Sequence, residues 1–292
     1  MRGYCLCIGA AKSGTTWLYE QLLQAPEIYM APEKELHYFF SRFGDFNRLR
    51  TSARYKLLRE FVERDSANFE KPLPEPVFSR EFGRFQKKLD WYQMFAQGPV
   101  TQSWYRRLFL EAGKKQLACD FSPSTSKISV EGVHAIRELS ENVKIIYILR
   151  DPVERLWSHI KYHAEYIGCF DEVKNYSPEQ LVQFARADRL NEDGCYGTYL
   201  TRFLEVFDRE DVLVLDFGEL KSNPVVFMER VSGFLGIDSI ELQPTAANPV
   251  NVSAKMEMPD GLLDEFKPEM IEQIGILEDL GYPFASKWNT IC

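Results

Sequence analysis

Within Gly9-Ala10-Ala11-Lys12-Ser13-Gly14-Thr15-Thr16 the sequence gathers a lysine, three hydroxyls and two glycines. An apolar run, Tyr4 to Ile8, precedes this stretch, and Leu18, Leu22 and Leu23 follow it at helical spacing. The pattern predicts a buried strand, a small-residue loop and the start of a helix. Such a junction is an anion site, because the first backbone N–H groups of a helix have no partner within it and its dipole favours negative charge there. Lys12 adds a mobile cation; Ser13, Thr15 and Thr16 add hydroxyl donors. A second set of reactive groups follows at Lys34-Glu35-Leu36-His37, and a third at Arg150-Asp151-Pro152-Val153-Glu154-Arg155-Leu156-Trp157-Ser158.

Spacing decides which anion the first loop suits. A Walker A loop runs G-x-x-x-x-G-K-[ST]. Gly9 and Gly14 keep the glycine interval, but Thr15 stands where that lysine belongs and the lysine lies within the loop at position 12. This argues against an ordinary ATPase or GTPase.

These groups need a scaffold. Lys144–Leu149 is a continuous apolar run typical of a central parallel strand, and Arg150 ends it. Asp151 as N-cap, Pro152 at the first helical position and Glu154 at the third then open a helix. Further strands are expected at 116–121 and 212–216, and helices at 50–72, 78–88, 130–141, 178–189, 196–207, 223–235 (stopped by Gly236) and 259–280. Residues 25–50 read as a connection, and the proline-rich Pro72-Leu73-Pro74-Glu75-Pro76 as a linker inside a surface insertion spanning about 45–100. Alternating strands and helices predict a P-loop-like α/β fold, a central parallel β-sheet flanked by helices on both faces. Ligands of such sheets bind at the carboxyl ends of the strands, so the Gly9–Thr16 loop and Arg150 can share one crevice.

Composition narrows the functions. The 292 residues are 45% hydrophobic, enough for one large core, and the net charge of −8 argues against a general nucleic-acid binder. No apolar run approaches the length of a membrane span. Met1 lies close to the first strand without a basic or apolar leader, which predicts a cytoplasmic protein with no signal peptide. The six cysteines form no C-x-x-C pair and read as reduced thiols.

The Lys12 loop resembles the 5′-phosphosulfate-binding loop of sulfotransferases, which use 3′-phosphoadenosine 5′-phosphosulfate (PAPS) as donor. The Arg150–Ser158 run resembles their 3′-phosphate-binding segment. Lys34-Glu35-Leu36-His37-Tyr38-Phe39-Phe40, Asp90-Trp91-Tyr92 and Asp120-Phe121-Ser122-Pro123-Ser124 resemble further segments of the heparan-sulfate-type and bacterial members. The resemblance covers most of the chain and implies a single sulfotransferase domain over residues 1–292. It also implies that Lys12, Ser13, Gly14, Thr15 and Thr16 hold the 5′-phosphosulfate, that Arg150 and Ser158 hold the 3′-phosphate, and that Trp17 and Tyr196 contact the adenine. Lys255 is a candidate for a loop closing over the 3′-phosphate. Phe121 stands where a lysine is common, which implies a more apolar acceptor pocket.

Glu35 is then the expected base for the acceptor proton, with His37 as its rival, and Lys12 stabilises charge on the leaving phosphate. No metal is required; His159 and His163, at i and i+4, lack a third ligand and read as helix packing residues. The acceptor is a hydroxyl on a sugar, a lipid, a natural product or a carrier-bound chain. The alternatives are a nucleotide or small-molecule kinase on the same fold and a non-catalytic nucleotide-binding protein.

Overall fold

The computed structural model describes residues 1–242, 256–259, 261–262 and 264–288. Among them, five parallel strands form the sheet: β1 (Gly3–Gly9), β2 (Ile28–Met30), β3 (Leu117–Phe121), β4 (Val143–Leu149) and β5 (Val212–Asp216). Their spatial order is β2-β3-β1-β4-β5, so β1 is central, with β3 on one side and β4 on the other. The chain departs from β1 in both directions across the sheet, which leaves a crevice at its carboxyl end.

Period-two alternation gives the sheet two apolar faces. Tyr4, Leu6 and Ile8 of β1, with Ile145, Tyr147 and Leu149 of β4, face one side. Cys5 and Cys7, with Ile146 and Ile148, face the other. The second face is covered by α1 (Thr15–Leu22), α11 (Phe217–Ser222) and α12 (Pro224–Leu235). The first carries α2 (Tyr38–Phe43), α3 (Thr51–Ser66), α4 (Glu75–Ala96), α5 (Gln102–Arg107), α6 (Val130–Arg137), α10 (Tyr196–Leu204) and α13 (Lys267–Asp279). A third apolar cluster joins α7 (Pro152–Tyr166) to α8 (Phe170–Val173) and α9 (Pro178–Ala187).

The parallel sheet with helices on both faces is as the residue pattern predicts. Three elements differ. Strand β2 lies in the stretch read as a connection. It is too short for alternation to show, and it exists because β3 offers it an edge; Gln116 Nε2 also donates to the carbonyls of Pro26 and Ile28 at 2.9 and 3.2 Å. The proline-rich stretch is the start of a helix, with Pro74 as the N-cap of α4 and Pro76 in its first turn, where proline costs no hydrogen bond. Helix α4 then runs on through Asp90-Trp91-Tyr92. The last helix begins at Lys267 rather than near 259, because Pro268 is tolerated only in a first turn.

The aromatic residues of 38–40 and 91–95 belong to the core. Phe39, Trp91, Tyr92 and Phe95 are all buried, and Trp91 stacks on Phe95 at 5.3 Å. One buried cation locks this corner. Arg54 of α3 donates to the carbonyls of Leu49, Phe95, Gln97 and Gly98 at 2.9–3.3 Å, gathering the carbonyls at the C-terminal end of α4. Arg54→Met would leave several of these buried acceptors without donors, at a cost of about 3 kcal/mol. In urea unfolding the expected result is a lower midpoint with an unchanged slope.

Candidate active site

The first loop leaves β1 at Gly9 and is held against β4, where the Ala10 N–H donates to the Ile148 carbonyl at 2.7 Å. Lys12 and Gly14 both adopt left-handed backbone, with φ of 67° and 86°. Gly14 is the N-cap of α1 and brings no side-chain oxygen to it, so no side chain of its cap occupies the first turn. Helix α7 makes the contrast: Asp151 Oδ1 accepts from the N–H groups of Val153 and Glu154 at 2.9 and 3.2 Å, and Pro152 has no N–H to offer. The side chain of Ser13 is buried, and its hydroxyl has no hydrogen-bond partner among the described residues. A bare helix start and an orphaned hydroxyl in one loop fit an anion such as a phosphosulfate.

Lys12 Nζ lies 3.8 Å from the centre of the Tyr162 ring on α7. Burial, and then the neighbouring Arg150 charge, push its pKa down to about 8. Arg150, at the end of β4, donates through Nη1 to the Lys12 carbonyl at 3.1 Å. The two phosphate segments read from the sequence are thus joined directly. The rest of the Arg150 fork meets Glu154 Oε2 at 3.0 and 3.3 Å, and Lys221 of α11 reaches the same oxygen at 3.0 Å. Burial alone would raise the Glu154 carboxyl, but Lys221 and Arg150 hold it below the usual carboxylate range. The Arg150 guanidinium also lies over the half-buried Phe217 ring at 4.8 Å. Ser158 is part-exposed on α7, at i+4 from Glu154 and i−4 from Tyr162, so it shares the face that carries the partners of Arg150 and Lys12.

Glu35 and His37 do come together. His37 Nε2 is 3.3 Å from Glu35 Oε2, although the segment is not the extended one that i, i+2 spacing suggests: His37 itself is left-handed, with φ of 52°. Lys34 Nζ donates to Thr16 Oγ1 at 2.7 Å and lies 3.7 Å from Glu35 Oε1, bridging the start of α1 to the carboxylate. Burial raises the Glu35 pKa, against the pull of Lys34 and Arg48. Burial lowers that of His37 to about 3, so its ring is neutral at physiological pH.

Three of the residues singled out by the sequence have buried side chains. The Trp17 ring is buried on α1, edge-to-face with Phe227 at 6.0 Å. Tyr196 is likewise in the core, between Tyr147 and Trp288, and its hydroxyl donates to the Arg150 carbonyl at 2.9 Å. Phe121 packs on the α1 side of the sheet, edge-to-face with Tyr19 at 5.5 Å. His159 and His163 pair with Asp193 and Asp188 at 3.4 and 3.3 Å. Among the described residues no group of three or more His, Cys, Asp or Glu side chains is placed to hold a metal ion. No described helix is long and apolar enough to cross a membrane. Lys255 lies outside the described residues. Phe217 and Lys221 joined the site only in three dimensions; their place just after β5 was the available signal.

Residues 4–252 match the family model described as a sulfotransferase domain. The chain is 27% identical over 160 residues to the bifunctional heparan sulfate N-deacetylase/N-sulfotransferase 1 of Xenopus laevis, covering 52% of this chain and 17% of that one. It is 23% identical over 273 residues to human carbohydrate sulfotransferase 15, covering 87% and 47%. It therefore spans less than half the length of these curated relatives. A sulfotransferase from Alicyclobacillus acidocaldarius shares the fold, with a TM-score of 0.61 at 22% identity over 96% of both chains.

Gly14 sets a sharp test of the loop. A Cβ there would sit 2.8 Å from Leu220 Cδ2 and 2.9 Å from Phe217 Cε2, at a φ of 86°. Gly14→Ala should cost about 1–3 kcal/mol of stability and at least tenfold in affinity for adenosine 3′,5′-bisphosphate, read by thermal unfolding and calorimetry.

Proposed function

The chain belongs to the sulfotransferase domain family, and from that premise we propose that it transfers the sulfuryl group of PAPS, the donor its family generally uses, to an acceptor hydroxyl. The observation that carries this reading is the Lys34 bridge, which sets a carboxylate of raised pKa beside the uncapped start of α1. The 5′-phosphosulfate occupies the loop from Lys12 to Thr16, held by the α1 N–H groups, the Ser13, Thr15 and Thr16 hydroxyls and the Lys12 ammonium. The 3′-phosphate takes the Arg150 fork, displacing Glu154, with Ser158 on the same helix face. Phe217, half-buried between Gly14 and Arg150, takes the role of purine platform in place of Trp17 and Tyr196.

The acceptor oxygen bonds to sulfur as the bond from sulfur to the 5′-phosphate oxygen breaks. The acceptor proton passes to Glu35, and adenosine 3′,5′-bisphosphate leaves. A carboxylate whose pKa is raised is a stronger base, and an imidazole with a pKa near 3 is a weak one, so electrostatics favour Glu35 over His37. A groove of about 1280 Å³ adjoins this segment, with Phe40, Phe43 and Tyr199 in its wall, and its Arg48 and Lys127 act on the His37 ring. Aromatic faces and mixed charges suit a hydroxyl acceptor that has both an apolar and a polar side.

Calorimetry should show adenosine 3′,5′-bisphosphate binding without Mg²⁺ and much more tightly than ATP; the reverse preference rules the proposal out. Glu35→Gln should keep nucleotide affinity and lower kcat by about 10²–10⁴. Lys12 carries its charge below a pKa of about 8 and loses it above. Nucleotide affinity should therefore fall as pH rises from 7 to 9, and Lys12→Met should weaken binding and abolish that dependence.

A further inference from the structure

The segment that carries Glu35 has no regular structure between Ala31 and His37, yet it is anchored at several points to the end of β3. Asp120, the fourth residue of β3, is buried, and its two oxygens accept from Ser122 Oγ at 2.6 Å and Tyr105 OH at 3.0 Å. The Leu36 N–H acts on the same carboxylate. Ser122 Oγ in turn accepts from the His37 N–H at 3.0 Å. Ser124 Oγ lies 2.9 Å from His37 Nδ1, and His37 Nε2 faces Glu35. Every link in this set lies between the base-bearing segment and the end of β3 with the turn that follows it, or within one of them, apart from the Tyr105 anchor from α5.

The proton positions follow from chemistry. His37 Nε2 lies 3.3 Å from Glu35 Oε2, and because an ionised carboxylate only accepts, the Nε2–H tautomer is the one that suits this approach. A neutral imidazole then accepts at Nδ1, and Ser124 must donate there. By donating to Nδ1, Ser124 favours the tautomer that carries its proton on Nε2, the side of the ring nearer Glu35. Ser122, with its own hydrogen given to Asp120, accepts the His37 N–H and fixes the backbone from which that ring projects.

We propose that Asp120 and Ser124 are positioning residues for the base, acting through Ser122, His37 and the Leu36 N–H to hold the Glu35 carboxylate in its place beside the anion loop. The proposal rests on the reading of Glu35 as base. A displacement of a reacting group by about 1 Å costs on the order of 10²-fold in rate, so loss of one link should be felt in kcat. Substrate affinity should be spared, because neither residue belongs to the nucleotide loop.

The test uses the full chain and three readouts. Ser124→Ala should lower kcat about 10- to 100-fold, with the PAPS KM and the affinity for adenosine 3′,5′-bisphosphate within about twofold of wild type. Ser124→Thr, which restores a hydroxyl, should recover most of the rate. The chain has four histidines, so nitrogen NMR of ¹⁵N-histidine-labelled protein can read the His37 tautomer without any turnover. The Nε2–H form should dominate in the wild type and give way to a mixture in Ser124→Ala. Asp120→Asn, compared by the same kinetics, should reduce kcat without a matching rise in KM. A Ser124→Ala enzyme with wild-type kcat, a loss shared equally between kcat and nucleotide affinity, or an Nδ1–H tautomer in the wild type each overturns the proposal. Turnover retained in Glu35→Gln overturns the base assignment instead, while the tautomer measurement continues to report on the Ser124 link alone.

Discussion

One hydrogen bond fixes the geometry on which the site depends: Arg150 Nη1 to the carbonyl of Lys12, at 3.1 Å. It ties the end of β4 to the loop that follows β1. Adjacent parallel strands place these two ends side by side, but neither end is regular structure and each would otherwise be set by its own loop. The bond holds the Arg150 side chain against the loop that opens α1. Tyr196 supports the arrangement from below, through its hydroxyl on the Arg150 carbonyl. Two segments far apart in sequence, the loop after β1 and the end of β4, are thereby joined directly.

The electrostatics of the crevice run against those of the whole. A chain of net charge −8 concentrates Lys12, Lys34, Arg150 and Lys221 around one helix start, where desolvation makes their charges count for more than on an open surface. Burial, and then repulsion from Arg150, lowers the pKa of Lys12. Glu154 relieves part of that repulsion by neutralising Arg150 and Lys221 together. It sits one turn into α7 and is free for that role because Asp151 caps the helix.

The carboxylate segment is organised differently. No helix or strand carries Glu35; its position comes from contacts with the end of β3 and from Lys34 on Thr16. Short polar links of this kind are directional where apolar packing is not, and their buried members cost free energy if left unpaired. A loop held this way keeps the Glu35 carboxylate in register with the sheet.

Much of this was legible in the sequence because it is local. The strand–loop–helix at Tyr4–Leu22, the displaced lysine, and the Asp151-Pro152 helix start all follow from rules that act within one turn of chain, and the structure shows each of those elements. The apolar runs sufficed for a parallel sheet with helices on both faces. Short range is also where such reading stops. Strand β2 could be seen only with its partner β3 in place, and the burial of Trp17, Tyr196 and Phe121 depends on which side of the sheet each ring meets. The union of Lys12 with Arg150, the Lys34 bridge, and the Ser124–His37–Glu35 series join residues from separate parts of the chain. Side-chain type and spacing determine what a segment can do; only the closing of the sheet decides which segments do it together, because hydrogen bonds and desolvation act over a few ångströms and ignore sequence distance.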